Sequence, residues 1–301
     1  MLVKVRIGFG LGTLGAGTDA GTYAAIVDAL EGLRFDSLWV SERATGPTLD
    51  PMVALAVAAG RTTRLKIGTS VQVLPGRNPV LLAKEWASLD VLSGGRALPA
   101  FGLGVVDPVE QQAFGVTREE RSARFDEELT LLRRFWAEDT VDHTGRFHTY
   151  SGVGIGVHPL KRHLDVWLGG RSPGELRRVG RVADGWLPSF TTPDEVAEGR
   201  EIVRAAAAAA GREMDDEHWG VLVAYATDTI PDAVAKIVAA RLPGVDPARV
   251  VPVGHEALRR LLEDYVAVGF SKLVPVPFGA TVADWDAELT ALAAATLDLQ
   301  T

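Results

Sequence analysis

The sequence predicts an α/β protein, a single (β/α)8 TIM barrel with insertions at its C-terminal face. Three observations point there. Strand-patterned and helix-patterned segments alternate from end to end, eight strand segments are each followed by helix, and 301 residues suit one such barrel. One domain over 1–301 is expected, with an insertion at about 139–163 and a second loop-rich region at about 241–254.

Val3–Leu11 is the first β-rich run, and a helix follows from about Thr18 to Leu33 with Thr18 or Asp19 as its N-cap. Ser37–Ser41 is the second strand, and Asp50–Arg61 the second helix with Pro51 in its first turn. Leu65–Val73 is the third strand. Pro79–Leu92 follows as a helix, with Leu82, Trp86, Leu89 and Leu92 at helical spacing. Arg96–Leu103 is the fourth strand. Arg118–Ala137 is a long helix with Phe125, Leu129, Leu132 and Trp136 on one side and its Arg and Glu residues on the other. Glu138–His163, rich in Gly, His and Pro, reads as an irregular insertion between units. Alternation then resumes with strands at Asp165–Leu168, Gly185–Leu187, Trp219–Ala226 and Lys272–Val276. The helices of this half are Pro173–Val182, Pro193–Ala210, two pieces near Pro231–Ala240 and His255–Val268, and a closing Trp285–Leu297.

Composition narrows the function. A formal charge of -8 without a run of Lys and Arg argues against nucleic acid as a partner. The absence of cysteine excludes disulfides, thiolate nucleophiles and Cys-ligated metals. MLVKVRIGFG is already a strand pattern without signal-peptide anatomy, and the apolar windows are shorter than a membrane span, so a cytoplasmic protein with no membrane association is expected. The six histidines form neither an H-x-H after the first strand nor H-E-x-x-H, so no metal site is expected.

Two motifs are weighed and set aside. Gly10-Leu-Gly12-Thr-Leu-Gly15 fits the dinucleotide fingerprint, but the helix must begin inside that motif, and here Ala16 and Gly17 intervene. Gly170-Arg-Ser172-Pro-Gly174 fits the nucleophile elbow, but the residue after the nucleophile must donate an oxyanion N–H and Pro173 has none. The same segment suits an anion. Gly169 and Gly170 admit a ligand to the backbone, Pro173 opens a helix, and the loop N–H groups, the Ser172 hydroxyl and the Arg171 charge can hold a phosphate; the other reading is a plain tight turn. In the third strand Gly68, Thr69 and Ser70 mark either a bulge beside a flat ligand or a simple strand end. Gly102 and Gly104 leave space at the exit of the fourth strand. Glu42 and Arg43 end the second strand, on the catalytic face of a barrel; the alternative is a surface ion pair. His143 and His148 line a substrate pocket or are plain loop residues. Substrate choice is expected from Asp142–His163 and Arg241–Gly254.

The chain resembles the bacterial luciferase-like monooxygenase superfamily nearly throughout. RTTRLKIGTSVQVLPGRNPVLLAKEWASLDVLSGGRALPAFGLG (61–104) is similar to the family's central segment, and the likeness is strongest in the opening segment, in EERSARFDEELTLLRRFW (119–136), in the insertion that follows it and in VWLGGRSPGELRRVGRVADGWLP (166–188). The resemblance implies a barrel holding a flavin or deazaflavin, with the coenzyme F420 branch favoured by Gly68-Thr69-Ser70-Val71. In that branch a non-prolyl cis peptide backs the deazaflavin ring, which places the bulge at Ser70 and Val71 here. The family's phosphate loop falls on Gly169, Gly170, Arg171 and Ser172. Where sugar-phosphate-oxidising members carry Asp-His, this chain has Glu42-Arg43, which puts alcohol oxidation in doubt and favours hydride transfer to an activated acceptor. Glu42 and Arg43 are then the catalytic candidates, and a small molecule the substrate. Flavin mononucleotide (FMN) with a separate reductase, as in two-component monooxygenases, is the alternative. A non-catalytic flavin-binding barrel and a barrel aldolase or isomerase are the readings from other classes. A homodimer is implied by the resemblance alone.

Overall fold

The computed structural model describes residues 3–13, 17–278 and 282–301. The architecture is α/β, with parallel strands in two sheets and one added antiparallel hairpin. The first sheet uses β1 (Arg6–Leu11), β2 (Ser37–Val40), β3 (Lys66–Thr69), β5 (Ala97–Leu98), β11 (Gly220–Tyr225) and β12 (Lys272–Pro277), in the order β11-β12-β1-β2-β3-β5. The second uses β4 (Gln72–Val73), β6 (Ala100–Gly102), β9 (Trp167–Leu168) and β10 (Gly185–Trp186), in the order β10-β9-β6-β4. On one side the sheets are continuous through the chain: β3 passes into β4 across Ser70–Val71, and β5 into β6 across Pro99. Pro99 has no N–H to give a ladder, so the expected fourth strand is interrupted there. On the other side Trp186 bridges Trp219 and Ser189 bridges Leu222, both in the parallel sense.

The helices connect these strands. α1 (Ala20–Leu33) is capped by the Asp19 side chain, which accepts from Thr22 N–H, as the sequence predicts. α2 (Pro51–Arg61) is capped by Asp50, with Pro51 in its first turn. α3 (Pro79–Ser93) buries Leu82, Trp86 and Leu89, but Leu92 is exposed. At 100° per residue Leu92 falls well off the stripe that Ser93 continues. α4 (Pro108–Phe114) is a short helix the sequence reading did not foresee. α5 (Arg121–Ala137) buries the expected Phe125, Leu129, Leu132 and Trp136, and with them Glu128, an acid expected on the polar side. The insertion is not irregular: β7 (Val141–Thr144) and β8 (Thr149–Val153) pair antiparallel. α6 (Pro173–Val182), α7 (Pro193–Ala209), α8 (Asp232–Arg241), α9 (His255–Ala267) and α10 (Trp285–Thr296) complete the alternation. None of the described helices is long and apolar enough to cross a membrane.

Two features set the frame for the site. Trp39, Ala100, Trp167, Leu187 and Val274 pack together from strands of both sheets, with the Trp39 and Trp167 rings edge to face at 6.0 Å. At the N-terminal ends of the strands Asp36 meets Lys272 Nζ at 2.7 Å, Lys66 Nζ at 3.4 Å and Arg6 Nε at 3.8 Å. Lys66 and Lys272 open β3 and β12, so their charges belong to the end opposite the pocket described next.

Candidate active site

A cavity of about 640 Å³ opens where the strands end. Its walls come from strand C-termini and the residues just after them: Gly12, Ser41 to Arg43, Ser70, Val71, Gly102 to Gly104, Gly169 to Arg171, Ser189, Leu222, Ala224 and Val276 to Phe278. Parallel α/β folds collect ligands at this end because the loops there are free to diverge while the strands stay fixed. The volume is that of a site for a cofactor-sized molecule.

The floor is assembled from three segments. The Ser70–Val71 peptide is cis, and the strand breaks between β3 and β4 at this point. The Val71 side chain lies across Gly102 and Gly169. A Cβ at Gly102 would sit 2.5 Å from Val71 Cγ2, whereas one at Gly169 would sit 3.7 Å from Val71 Cγ1. Phe101, Leu168 and Val276 add apolar wall. Gly104 adopts φ +78°, a left-handed turn that favours glycine, and also lines the cavity. The Ser41 hydroxyl lies 3.0 Å from the Ser70 carbonyl and 3.2 Å from the Ser70 hydroxyl, so two small polar groups stand at the same edge.

Glu42 and Arg43 both line the cavity, but they are not paired with each other. The Glu42 carboxylate accepts from Val73 N–H at 2.7 Å and pairs with Arg77. Burial pushes its pKa up, against the pull of Arg77 and the Val73 N–H. Arg43 reaches Glu110 at 3.2 Å and Asp107 at 3.4 Å, both from the segment that carries α4. Glu110 is buried and also accepts from Ala44 N–H, Thr45 N–H and the Thr45 hydroxyl. The second-strand charges therefore tie the cavity lip to neighbouring loops.

The glycine loop after β9 behaves differently from expectation in one respect. Gly169, Gly170 and Arg171 line the cavity, but Ser172 is not among the lining residues. Its hydroxyl caps α6 by accepting from Glu175 N–H, and the Glu175 carboxylate reaches back to Ser172 N–H, a capping box. Three further guanidiniums, those of Arg121, Arg178 and Arg241, face the same space. Arg241 opens the loop expected to shape the pocket, whereas sequence reasoning missed Arg121, Arg178, Ser41, Phe190 and Phe278. Ser41 was within reach as the last residue of a strand, and the S-x-x-E spacing of Ser172 and Glu175 is a legible cap signature.

The insertion histidines take the structural reading. His143 and His148 bind Glu127 and Glu128 of α5, each at 3.2 Å, and the Tyr150 ring meets Phe135 edge to face. The hairpin is thereby fastened to α5, and none of 142–163 lines the cavity. Of 241–254 only Arg241 does. The expectation that these two segments shape the pocket is corrected accordingly.

The chain matches the family described as luciferase-like monooxygenase over residues 4–268. It is 32% identical over 206 residues to a putative coenzyme F420-dependent oxidoreductase of Mycobacterium tuberculosis, a match covering 64% of this chain and 58% of that protein. The chain thus spans less than two thirds of the length of the curated relatives it first matches. Among solved structures it is similar to an F420-dependent secondary alcohol dehydrogenase in complex with an F420–acetone adduct, with TM-score 0.82, 16% identity and coverage of 99% and 100% of the two chains. It is also similar to the FMN-bound oxygenating constituent of 3,6-diketocamphane monooxygenase from Pseudomonas putida, with TM-score 0.75, 18% identity and coverage of 98% and 96%. At these identities the structural likeness speaks for the fold.

Proposed function

The chain belongs to the luciferase-like monooxygenase family, and from that premise we propose that it is an oxidoreductase using the deazaflavin coenzyme F420 on a small organic acceptor. We read the two sheets as one eight-stranded barrel and the chain as one domain. The observation that carries the proposal is the cavity floor: Val71, Gly102 and Gly169, from three separate segments, lie in one layer. An apolar floor with two glycines suits a flat heteroaromatic ring, and the arginines beyond Gly170 suit an anionic tail. The name of the mycobacterial relative supports the deazaflavin over other redox groups.

When bound and reduced, the deazaflavin supplies a hydride. The chain's own residues bind, orient and protonate. Val71 backs the ring, and Gly102 leaves room for the Val71 side chain. The Ser41 hydroxyl donates to the Ser70 carbonyl, which leaves the Ser70 hydroxyl as the group that can donate to a carbonyl oxygen of the acceptor. Glu42, an acid of the cavity wall, is the candidate proton donor, held in place by Val73 N–H and Arg77. Arg43 orients the lip through Glu110 and Asp107. The alternative is an FMN-dependent monooxygenase fed by a separate reductase. It is supported by the family description and by a guanidinium cluster that would serve a flavin phosphate too.

Titration of the apoprotein with F420 and FMN, followed by cofactor fluorescence, tests the choice. The proposal expects saturable F420 binding at micromolar concentrations and weaker FMN binding. Tighter binding of FMN would move the protein to the monooxygenase reading.

A further inference from the structure

We propose that Glu175 is a specificity-determining residue: it occupies the anion-binding N–H groups of the Gly169–Ser172 loop, so the loop accepts a singly charged phosphodiester and disfavours a doubly charged phosphomonoester. This rests on the assignment of that loop to a cofactor phosphate.

The geometry is specific. One carboxylate oxygen of Glu175, Oε2, accepts from Arg171 N–H at 3.1 Å and from Ser172 N–H at 3.0 Å. These are the donors a phosphate at the start of α6 would need. Glu175 also packs against the loop itself. Gly170 has φ +100°, and a Cβ there would lie 2.7 Å from Glu175 Cβ and 3.0 Å from its Cδ. Glu175 and Gly170 both line the cavity, so the carboxylate stands within the site.

The surrounding cations do not leave a large positive excess. Arg171 donates to the carbonyls of Phe190 at 3.1 Å and Arg241 at 2.7 Å, with Glu195 at 3.9 Å. Arg178 is paired with Asp126 at 2.7 Å. Arg241 stacks over the Phe190 ring at 5.2 Å. Arg171, Arg178 and Arg241 thus meet the carboxylates of Glu175, Glu195 and Asp126, while Arg121, the fourth guanidinium at the cavity, donates to the Gly104 carbonyl at 3.3 Å. Burial raises the Glu175 pKa, but the Ser172 and Arg171 bonds and the Arg178 charge outweigh it and hold the group below the ordinary glutamate range. It is therefore ionised at neutral pH.

The two candidate cofactors differ at this point. F420 carries its phosphate as a diester with one charge, whereas the FMN monoester has a second pKa of about 6 and approaches two charges at neutral pH. One extra charge about 4 Å from a carboxylate lowers affinity by roughly five- to tenfold even with water-like screening.

The test is fluorescence titration of wild type and Glu175→Gln with FMN, riboflavin and F420, at about pH 8 and about pH 5.5, either side of the monoester pKa. Riboflavin lacks the phosphate and sets the ring's share. At the higher pH, Glu175→Gln should leave riboflavin unchanged, tighten F420 by about five- to tenfold for its one charge, and tighten FMN by a further factor of about five to ten for its second. In wild type FMN should weaken as pH rises, and in the variant it should strengthen. Glutamine also serves at this cap position, so the fold should persist. Glu175→Asp, which keeps the charge, should keep the discrimination. An unchanged FMN-to-riboflavin ratio, or one pH slope shared by wild type and Glu175→Gln, would overturn the assignment. If F420 fails to bind while the FMN gain appears, the deazaflavin reading falls and the role of Glu175 stands.

Discussion

Glu128 is the residue whose chemistry departs furthest from its sequence position. It lies on α5 among residues that pattern as solvent-facing, yet it is fully buried, and its Oε2 is without a hydrogen-bond partner. Its Oε1 lies 3.2 Å from His148 Nε2 and 3.4 Å from Gly76 N. Burial pushes its pKa to about 8, against the Gly76 N–H and the Arg124 charge. Burial also lowers His148, against the pull of Glu127. A neutral acid thus faces a neutral imidazole at neutral pH, so this contact carries no buried charge, while the neighbouring Glu127 carboxylate accepts from the hairpin N–H groups of Arg146, Phe147 and His148. The native state keeps a proton that the unfolded chain loses near its ordinary pKa, so stability falls as pH rises from the ordinary glutamate range to about 8. Glu128→Gln should remove that slope. Its stability relative to wild type should rise between about pH 5 and about pH 8.5 by up to about 4 kcal/mol. Urea melts at the two pH values measure this, and an equal difference at both would contradict the buried neutral acid.

At the scale of elements, the strand break between β3 and β4 and the exit of β6 make the floor together. Gly102→Ala would place a methyl 2.5 Å from Val71 Cγ2, forcing that side chain to move, whereas Gly169→Ala meets nothing nearer than 3.6 Å. The first should weaken F420 binding by about tenfold or more and cost about 1–3 kcal/mol of stability. The second should leave stability within about 0.5 kcal/mol. Parallel titrations and urea melts of the two variants check this, and equal effects would argue against Val71 as the floor. These elements were legible because β-branched runs mark strands and glycines with small polar residues mark their ends. Of the two caps offered for the first helix, Thr18 and Asp19, the structure uses Asp19, whereas Asp50, read as the first residue of its helix, is instead its cap. Other parts were not legible. The hairpin at 141–153 has no alternating apolar face, since most of its side chains are exposed or half-buried. Glu110 reaches the cavity from a segment far from any motif, and only tertiary packing brings it there. The Ser172 hydroxyl was assigned to phosphate because its own helix cap was not counted among its possible partners. The last glycine of Gly10-Leu-Gly12-Thr-Leu-Gly15 lies outside the described residues.

Across the whole molecule, stability and chemistry occupy opposite ends of the strands. At the N-terminal end Asp36 is half-buried. Burial pushes its pKa up, but the Lys272 and Lys66 charges outweigh this and hold it at about 2. That contribution is present above the unfolded pKa and is lost as pH falls towards about 2. Lys272 is itself buried and, with Asp36, ties β12 to the start of β2. Asp36→Asn should leave that ammonium uncompensated and cost about 3–5 kcal/mol. Cofactor affinity in the folded fraction should change less than about twofold, because the cavity lies at the other end. Calorimetry with a binding titration separates the two, and a large loss of affinity without loss of stability would contradict this division. The central claim concerns what happens at the cavity end. It is tested most directly by mixing the protein anaerobically with reduced F420 and a panel of small ketones, aldehydes and activated alkenes, and following reoxidation of the cofactor. The account predicts oxygen-independent, acceptor-dependent reoxidation that catalytic amounts of protein accelerate. Turnover seen only with reduced FMN and molecular oxygen would contradict it.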